Sequence, residues 1–158
     1  MAEPRTLFSS LMLSAAATIA DTVIAVARQE KLQPLVVAVL DSAGSLVAYK
    51  REDGAGLLRF DIATGKAWGA LGMGLSSRAI RDRLKENLGF QNALAAASGG
   101  RFVPVPGGVL ILDADGAAIG AVGISGDTSD KDEYCAITAI QRAGFASDPP
   151  QPHPNWRG

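Results

Sequence analysis

The sequence carries a single cysteine and a single histidine among its 158 residues. One cysteine excludes an intramolecular disulfide framework and a cysteine-based zinc site. The histidine, His153, sits in a proline-rich stretch near the end of the chain, so the body has no imidazole for base catalysis, metal ligation or pH sensing. An excess of either charge is also missing: 15 Lys and Arg stand against 16 Asp and Glu, a formal net charge of -1. That removes the sequence-independent attraction to phosphate backbones on which nucleic-acid binders rely. Nor is there a long apolar run. Leu11 to Ala27 comes nearest, but Asp21 and the polar Ser14, Thr18 and Thr22 interrupt it. A bilayer span needs about 20 predominantly apolar residues. A basic leader beyond Arg5 is absent too, so the stretch reads as an amphipathic helix, the chain as cytoplasmic and Cys135 as a reduced thiol.

Hydrophobic residues make up 47% of the chain and charged residues 20%, the ordinary composition of one globular domain. The pattern predicts a first helix from about Ser14 to Glu30, ended by Pro34. Leu35 to Leu40 is a continuous β-prone run, as in a strand covered on both faces. Asp41-Ser42-Ala43-Gly44 turns the chain into a second strand, Ser45 to Lys50. Helices are expected over Leu57 to Leu71, Ser77 to Glu86 and Gln91 to Ala97. Gly65, Gly69 and Gly72 weaken the first of these by about 1 kcal/mol each relative to Ala, which suggests that another backbone approaches there. Val109 to Leu112 and Ala117 to Ile124 read as strands joined at Asp115-Gly116, a strong hairpin signal. A last helix begins near Ser129, which with Asp132 resembles a capping box, and Gly144 stops it. Helix, hairpin, helices, hairpin, helix is the order of a single α+β domain with a mainly antiparallel sheet.

Candidate chemistry gathers in three places. Gly99-Gly100-Arg101 and Pro106-Gly107-Gly108 form the strongest loop signal, where successive N–H groups can make an anion-binding nest with Arg101 as a carboxylate clamp. The alternative is a connection merely stiffened by Pro and Gly. Asp41, Arg51, Asp53, Asp61 and Lys66 fall in one strand–loop–helix unit. Lys66, set among Ala and Gly, is either a desolvated base or nucleophile or a lysine paired with a carboxylate. Asp61 lies five residues before it and so does not share its helix face well. Asp132 and Glu133 open the last helix, where acids complement the helix dipole, and Cys135 reads as a small buried hydrophobe. The basic face Arg78, Arg81, Lys85 reads as solvated surface. Gly120, Gly123 and Gly126 lie in and just after a strand, the wrong context for a dinucleotide loop, and point instead to close backbone approach.

In order along the chain, Val37-Ala38-Val39-Leu40-Asp41-Ser42-Ala43-Gly44, Arg51-Glu52-Asp53-Gly54-Ala55, Asp61-Ile62-Ala63-Thr64-Gly65-Lys66-Ala67, Gly99-Gly100-Arg101-Phe102-Val103-Pro104, Pro106-Gly107-Gly108 and Ile119 to Gly126 followed by Asp132-Glu133 resemble the haem-binding and haem-degrading family of the GlcG/HbpS type. That family includes the C-terminal domain of PduO-like proteins. The resemblance implies a five-stranded-type antiparallel sheet flanked by helices, with profilin- or PAS-like layering, over residues 13–147. Residues 1–12 form a lead and 148–158 a proline-rich tail that is extended or disordered. It also implies a homo-oligomer, a dimer or larger, that binds haem or a related tetrapyrrole. No body histidine is present to hold iron. The expected function is therefore binding of an anionic small molecule, a tetrapyrrole or a small carboxylate, by Arg101, Gly99, Gly100, Gly107, Gly108 and Arg51. Neither nucleic acid nor membrane is an expected partner, and no metal is expected at the site. A cofactor-independent proton-transfer enzyme using Lys66 or Asp61 is the alternative, and an oligomeric scaffold without chemistry is the third reading.

Overall fold

Two β-hairpins joined side by side, with one short edge strand, make the sheet, and helices cover both of its faces. The computed structural model describes residues 1–158. The elements run α1 (Leu13–Gln29), β1 (Val36–Asp41), β2 (Leu46–Arg51), α2 (Arg59–Met73), α3 (Ser77–Leu84), α4 (Leu88–Ala97), β3 (Gly108–Leu112), β4 (Ala118–Ser125), α5 (Ser129–Arg142) and β5 (Ala146–Asp148). The five strands lie in the order β2-β1-β4-β3-β5, and every neighbouring pair is antiparallel. The single α+β domain with a five-stranded antiparallel sheet is thus what the sequence and its resemblance led us to expect. No helix is long and apolar enough to cross a membrane.

The unbroken apolar run of β1 has the physical cause read from its sequence. Val36 to Leu40 are all buried, and alternate residues serve different layers. Val37 and Val39 join the main core with Ile19, Val23 of α1 and Ile137, Ile140 of α5. Val36, Ala38 and Leu40 face the small residues Ala63, Ala67 and Ala70 of α2. Each fully buried Val, Leu or Ile contributes about 1.5–3 kcal/mol.

Helix α2 packs unusually close because the sheet beneath it is stripped of side chains. Gly108 of β3 and Gly123 of β4 sit opposite one another in the ladder. A Cβ on Gly123 would lie 1.8 Å from the carbonyl oxygen of Ala63, and one on Gly108 would lie 2.3 Å from that of Lys66. The expectation of close backbone approach is met here by α2. On the outer side of α2, a Cβ at Gly65 would meet the Arg101 carbonyl oxygen at 2.5 Å, and one at Gly69 would meet the Phe102 ring at 2.9 Å. Gly72 faces open space.

The proline-rich tail lies against the domain. Ala146 to Asp148 pair with β3 as β5, so Asp148 belongs to the sheet. Beyond it, Gln141 donates from Nε2 to the Pro150 carbonyl at 2.8 Å, and the Trp156 ring stacks on Tyr134 with centroids 3.7 Å apart. Four prolines set the compositional signal in this stretch, and a strand of three residues is too short to show a period.

Candidate functional site

A cavity of about 440 Å³ opens between the β1–β2 hairpin, α2 and the loop that follows α4. Its floor is one face of α2. Asp61, Thr64, Gly65 and Trp68 stand at spacings of three and four, so the helical period brings them into one row. Leu40, Leu46 and Phe60 add apolar surface, and Gly99, Gly100 and Arg101 form the far wall. The size suits a small organic molecule.

Arg101 is held in place from three sides. Its Nε donates to the Ser98 carbonyl at 3.0 Å, and its guanidinium lies 4.0 Å from the centre of the Trp68 ring. Gly65 admits its backbone against α2. Ser98, the residue that ends α4, accepts from the Phe102 N–H at 3.1 Å and donates to Ala95 O at 2.9 Å, which fixes the loop. The two terminal nitrogens of Arg101 have no protein partner, and a planar cation so oriented is suited to a carboxylate.

The expected glycine nest is not formed. Gly99 donates its N–H to Ala96 O at 3.1 Å and Gly100 donates to Ala95 O at 2.9 Å, and both residues have positive φ, +63° and +83°. This is the two-bond cap that closes a helix C-terminus, and it consumes both amides. Gly99 and Gly100 therefore shape the cavity wall without presenting N–H groups to it. Gly107 and Gly108 lie elsewhere, buried under α2, with the Gly108 N–H donated to Ser77 Oγ at 2.8 Å. Arg51 stands at the exposed end of β2, in a shallower groove with Tyr49 and Leu57 that shares only Leu46 and Phe60 with the cavity.

Lys66 faces away from the cavity. Its Nζ donates to Ile124 O at 2.8 Å and pairs with Asp132 Oδ2 at 3.2 Å, with the two side chains 2% and 1% exposed. Burial pulls the lysine pKa down, and Asp132 opposes that shift. Burial pushes the Asp132 carboxyl up, against the pull of Lys66 and of the Asp127 and Gly126 N–H groups that it accepts. Of the two residues considered for proton transfer, only Asp61 borders the cavity. Asp132 is not the partner of a capping box either: α5 starts from Thr128 without a side-chain cap.

The neighbouring acid, Glu133, is also sealed in. Its Oε1 lies 3.2 Å from Nε of Arg78, yet neither carboxylate oxygen has a hydrogen-bond partner. Burial raises its pKa to about 7, with Arg78 pulling down and Asp130 pushing up. Arg78 also donates to the Gln151 carbonyl at 2.7 Å, so this residue of the supposed solvated face ties α3 to α5 and the tail. Cys135 is buried as expected, and burial pushes its thiol up to about 12. No group of three or more His, Cys, Asp or Glu converges to hold a metal ion.

Sequence reasoning missed Trp68, Thr64 and Phe60 as cavity residues. The signal that could have found Thr64 and Trp68 was the row at 61, 64, 65 and 68, which puts a carboxylate, a hydroxyl, a glycine and an indole on one helix face.

A family model described as haem degrading protein HbpS-like matches residues 11–141. A 15.0 kDa protein from the dhaT–dhaS intergenic region of Citrobacter freundii is 30% identical over 132 residues, 84% of this chain and 91% of that one. The corrinoid adenosyltransferase PduO of Salmonella typhimurium is 32% identical over 117 residues, 73% of this chain. The match spans 34% of that enzyme's length. Among solved structures, a PduOC–haem complex superposes with a TM-score of 0.77 at 27% identity, covering 85% of this chain and 96% of that one.

Proposed function

Because the chain belongs to the HbpS-like family, we propose that it binds a small organic carboxylate with a flat or apolar body in the cavity beside Arg101. One observation carries this reading: a guanidinium clamped on Trp68 and Ser98 O, its terminal nitrogens unpartnered, at the wall of a 440 Å³ cavity. Leu40, Leu46 and Phe60 supply the apolar surface for the ligand body.

Haem, which the PduOC complex contains, fits this cavity in part. Its carboxylates suit Arg101 and its apolar faces suit the walls. Its iron does not fit, because protein ligands to haem iron are His, Cys, Met or Tyr and none of these lines the cavity. Tyr49 lines the adjoining groove, against Phe60 at 5.1 Å, and His153 stands by Asp130 at 4.0 Å. The ligand we favour is therefore a carboxylate without a ligated metal.

Calorimetric titration of 3-phenylpropanoate and of haemin into the wild-type protein and Arg101→Gln tests the reading. Loss of a charge-assisted pair weakens binding about tenfold or more. We expect that loss for the carboxylate, and no Soret signature of protein-ligated iron for haemin. Equal affinity in the two proteins would overturn the assignment. Assembly into a homo-oligomer belongs to the same reading, supported by the open edge of β2 and the exposed Leu46, Tyr49 and Leu57 beside it. Light scattering giving a monomer mass would remove that part. We place the protein in the cytoplasm, where its one thiol stays reduced; recovery in the soluble cytosolic fraction is the expected result.

A further inference from the structure

We infer that the ligand of this cavity is an aminocarboxylate with an apolar or aromatic body, its carboxylate taken by Arg101 and its ammonium group by Asp61. The inference rests on the carboxylate reading above and adds to it a second charge. Asp61 and Arg101 border the same cavity, yet no ion pair joins them. The Asp61 carboxylate accepts no hydrogen bond from any protein group, although its backbone carbonyl does, from Thr64 Oγ1 at 3.2 Å. Cations near it along α2 are engaged elsewhere: Arg59 donates to Ser125 Oγ at 3.2 Å, and Lys66 is paired with Asp132.

Arg101 is engaged instead by the Ser98 carbonyl and the Trp68 ring. The cavity therefore holds one group of each charge, not paired with the other. A ligand with a carboxylate alone would gain Arg101 but would also meet the like charge of Asp61, which disfavours it. A ligand that also carries an ammonium group uses both. The same cavity is lined by Trp68, Phe60 and Leu40, which suit an apolar or aromatic portion. Asp61 stands in the first turn of α2, where the helix dipole favours an acid, and this does not compete with a ligand for its outward oxygens.

The test compares three matched probes by calorimetry: phenylalanine, its deaminated counterpart 3-phenylpropanoate and its decarboxylated counterpart 2-phenylethylamine. Phenylalanine is expected to bind at least tenfold more tightly than either of the others. In Asp61→Asn the ratio of phenylalanine to 3-phenylpropanoate affinities is expected to fall to about one, and Asp61→Glu is expected to restore part of it, with circular dichroism confirming the fold of each variant. If 3-phenylpropanoate binds as tightly as phenylalanine and both depend on Arg101, this inference falls and the carboxylate reading stands. A preference for phenylalanine that survives Asp61→Asn also overturns it, as does tightest binding by 2-phenylethylamine. If none of the three binds, both readings fall together.

Discussion

On one face of α2, Asp61, Thr64 and Trp68 border an open cavity; on the other, Ala63, Lys66 and Ala70 are sealed against the sheet. Each face carries a charge, but the two charges have opposite fates. Lys66 is buried and is answered by Asp132 and the Ile124 carbonyl, which offset part of what burial costs its charge. Asp61 keeps its water and has been given no protein partner. A buried charge must be answered from within the protein, whereas an exposed one can be left for something else to answer. The paired charge is thus part of what holds α2 to α5, and the unpaired one is available to a ligand.

The sharpest way to break this contrast is to remove each charge in turn. Lys66→Met leaves Asp132 buried without its partner and should lower the unfolding free energy in urea by about 3–5 kcal/mol. Adding Asp132→Leu to it should recover much of that loss. Asp61→Asn should shift stability by less than about 0.5 kcal/mol. Equal costs at the two positions would erase the distinction.

Glu133 extends the comparison to pH. Its folded pKa of about 7 lies above the ordinary 4.5, so the neutral form is the one the fold prefers. The stability it contributes is complete below about pH 4.5 and is lost as pH rises through about 7. Relative to Glu133→Gln, the wild type should lose on the order of 3 kcal/mol between pH 4.5 and pH 8, measured by denaturation at each pH. A flat difference would mean that Arg78 offsets the burial of the Glu133 carboxylate.

A smaller effect is expected where α2 is seated rather than charged. Gly123→Ala puts a methyl group into the Ala63 carbonyl and should cost about 1–3 kcal/mol through displacement of α2, read as a lower thermal midpoint. Gly72→Ala, facing open space on the same helix, should be neutral or stabilising. A loss at Gly72 as large as that at Gly123 would show that the close approach of α2 to the sheet does not set the outcome.

Much of the fold could be read from the chain because its signals are local. The run Val36 to Leu40 announces a doubly covered strand, and Asp115-Gly116 announces a turn. The pairing of β1 with β4 brings together residues 79 to 89 apart and leaves no local trace beyond the glycines that line it. The site was legible in part for the same reason. Arg101 and Asp61 were singled out by residue type and setting, but depth is not written in a sequence. Asp132 and Glu133 look like dipole acids at the head of α5, and only their burial shows them to be the partners of Lys66 and Arg78. Gly99 and Gly100 have the right composition for an anion nest, and the helix end that precedes them takes their amides first.

The two tryptophans fall into two unlike settings, and this makes the protein its own optical instrument. Trp68 lies under Arg101 at the cavity, while Trp156 is stacked on Tyr134 beside Arg157 where the tail meets α5. A molecule that moves the Arg101 guanidinium alters the emission of one indole, and lifting of the tail alters the other. With Trp156→Phe or Trp68→Phe as a silent background, occupancy and tail attachment become two separately readable signals from one unlabelled chain.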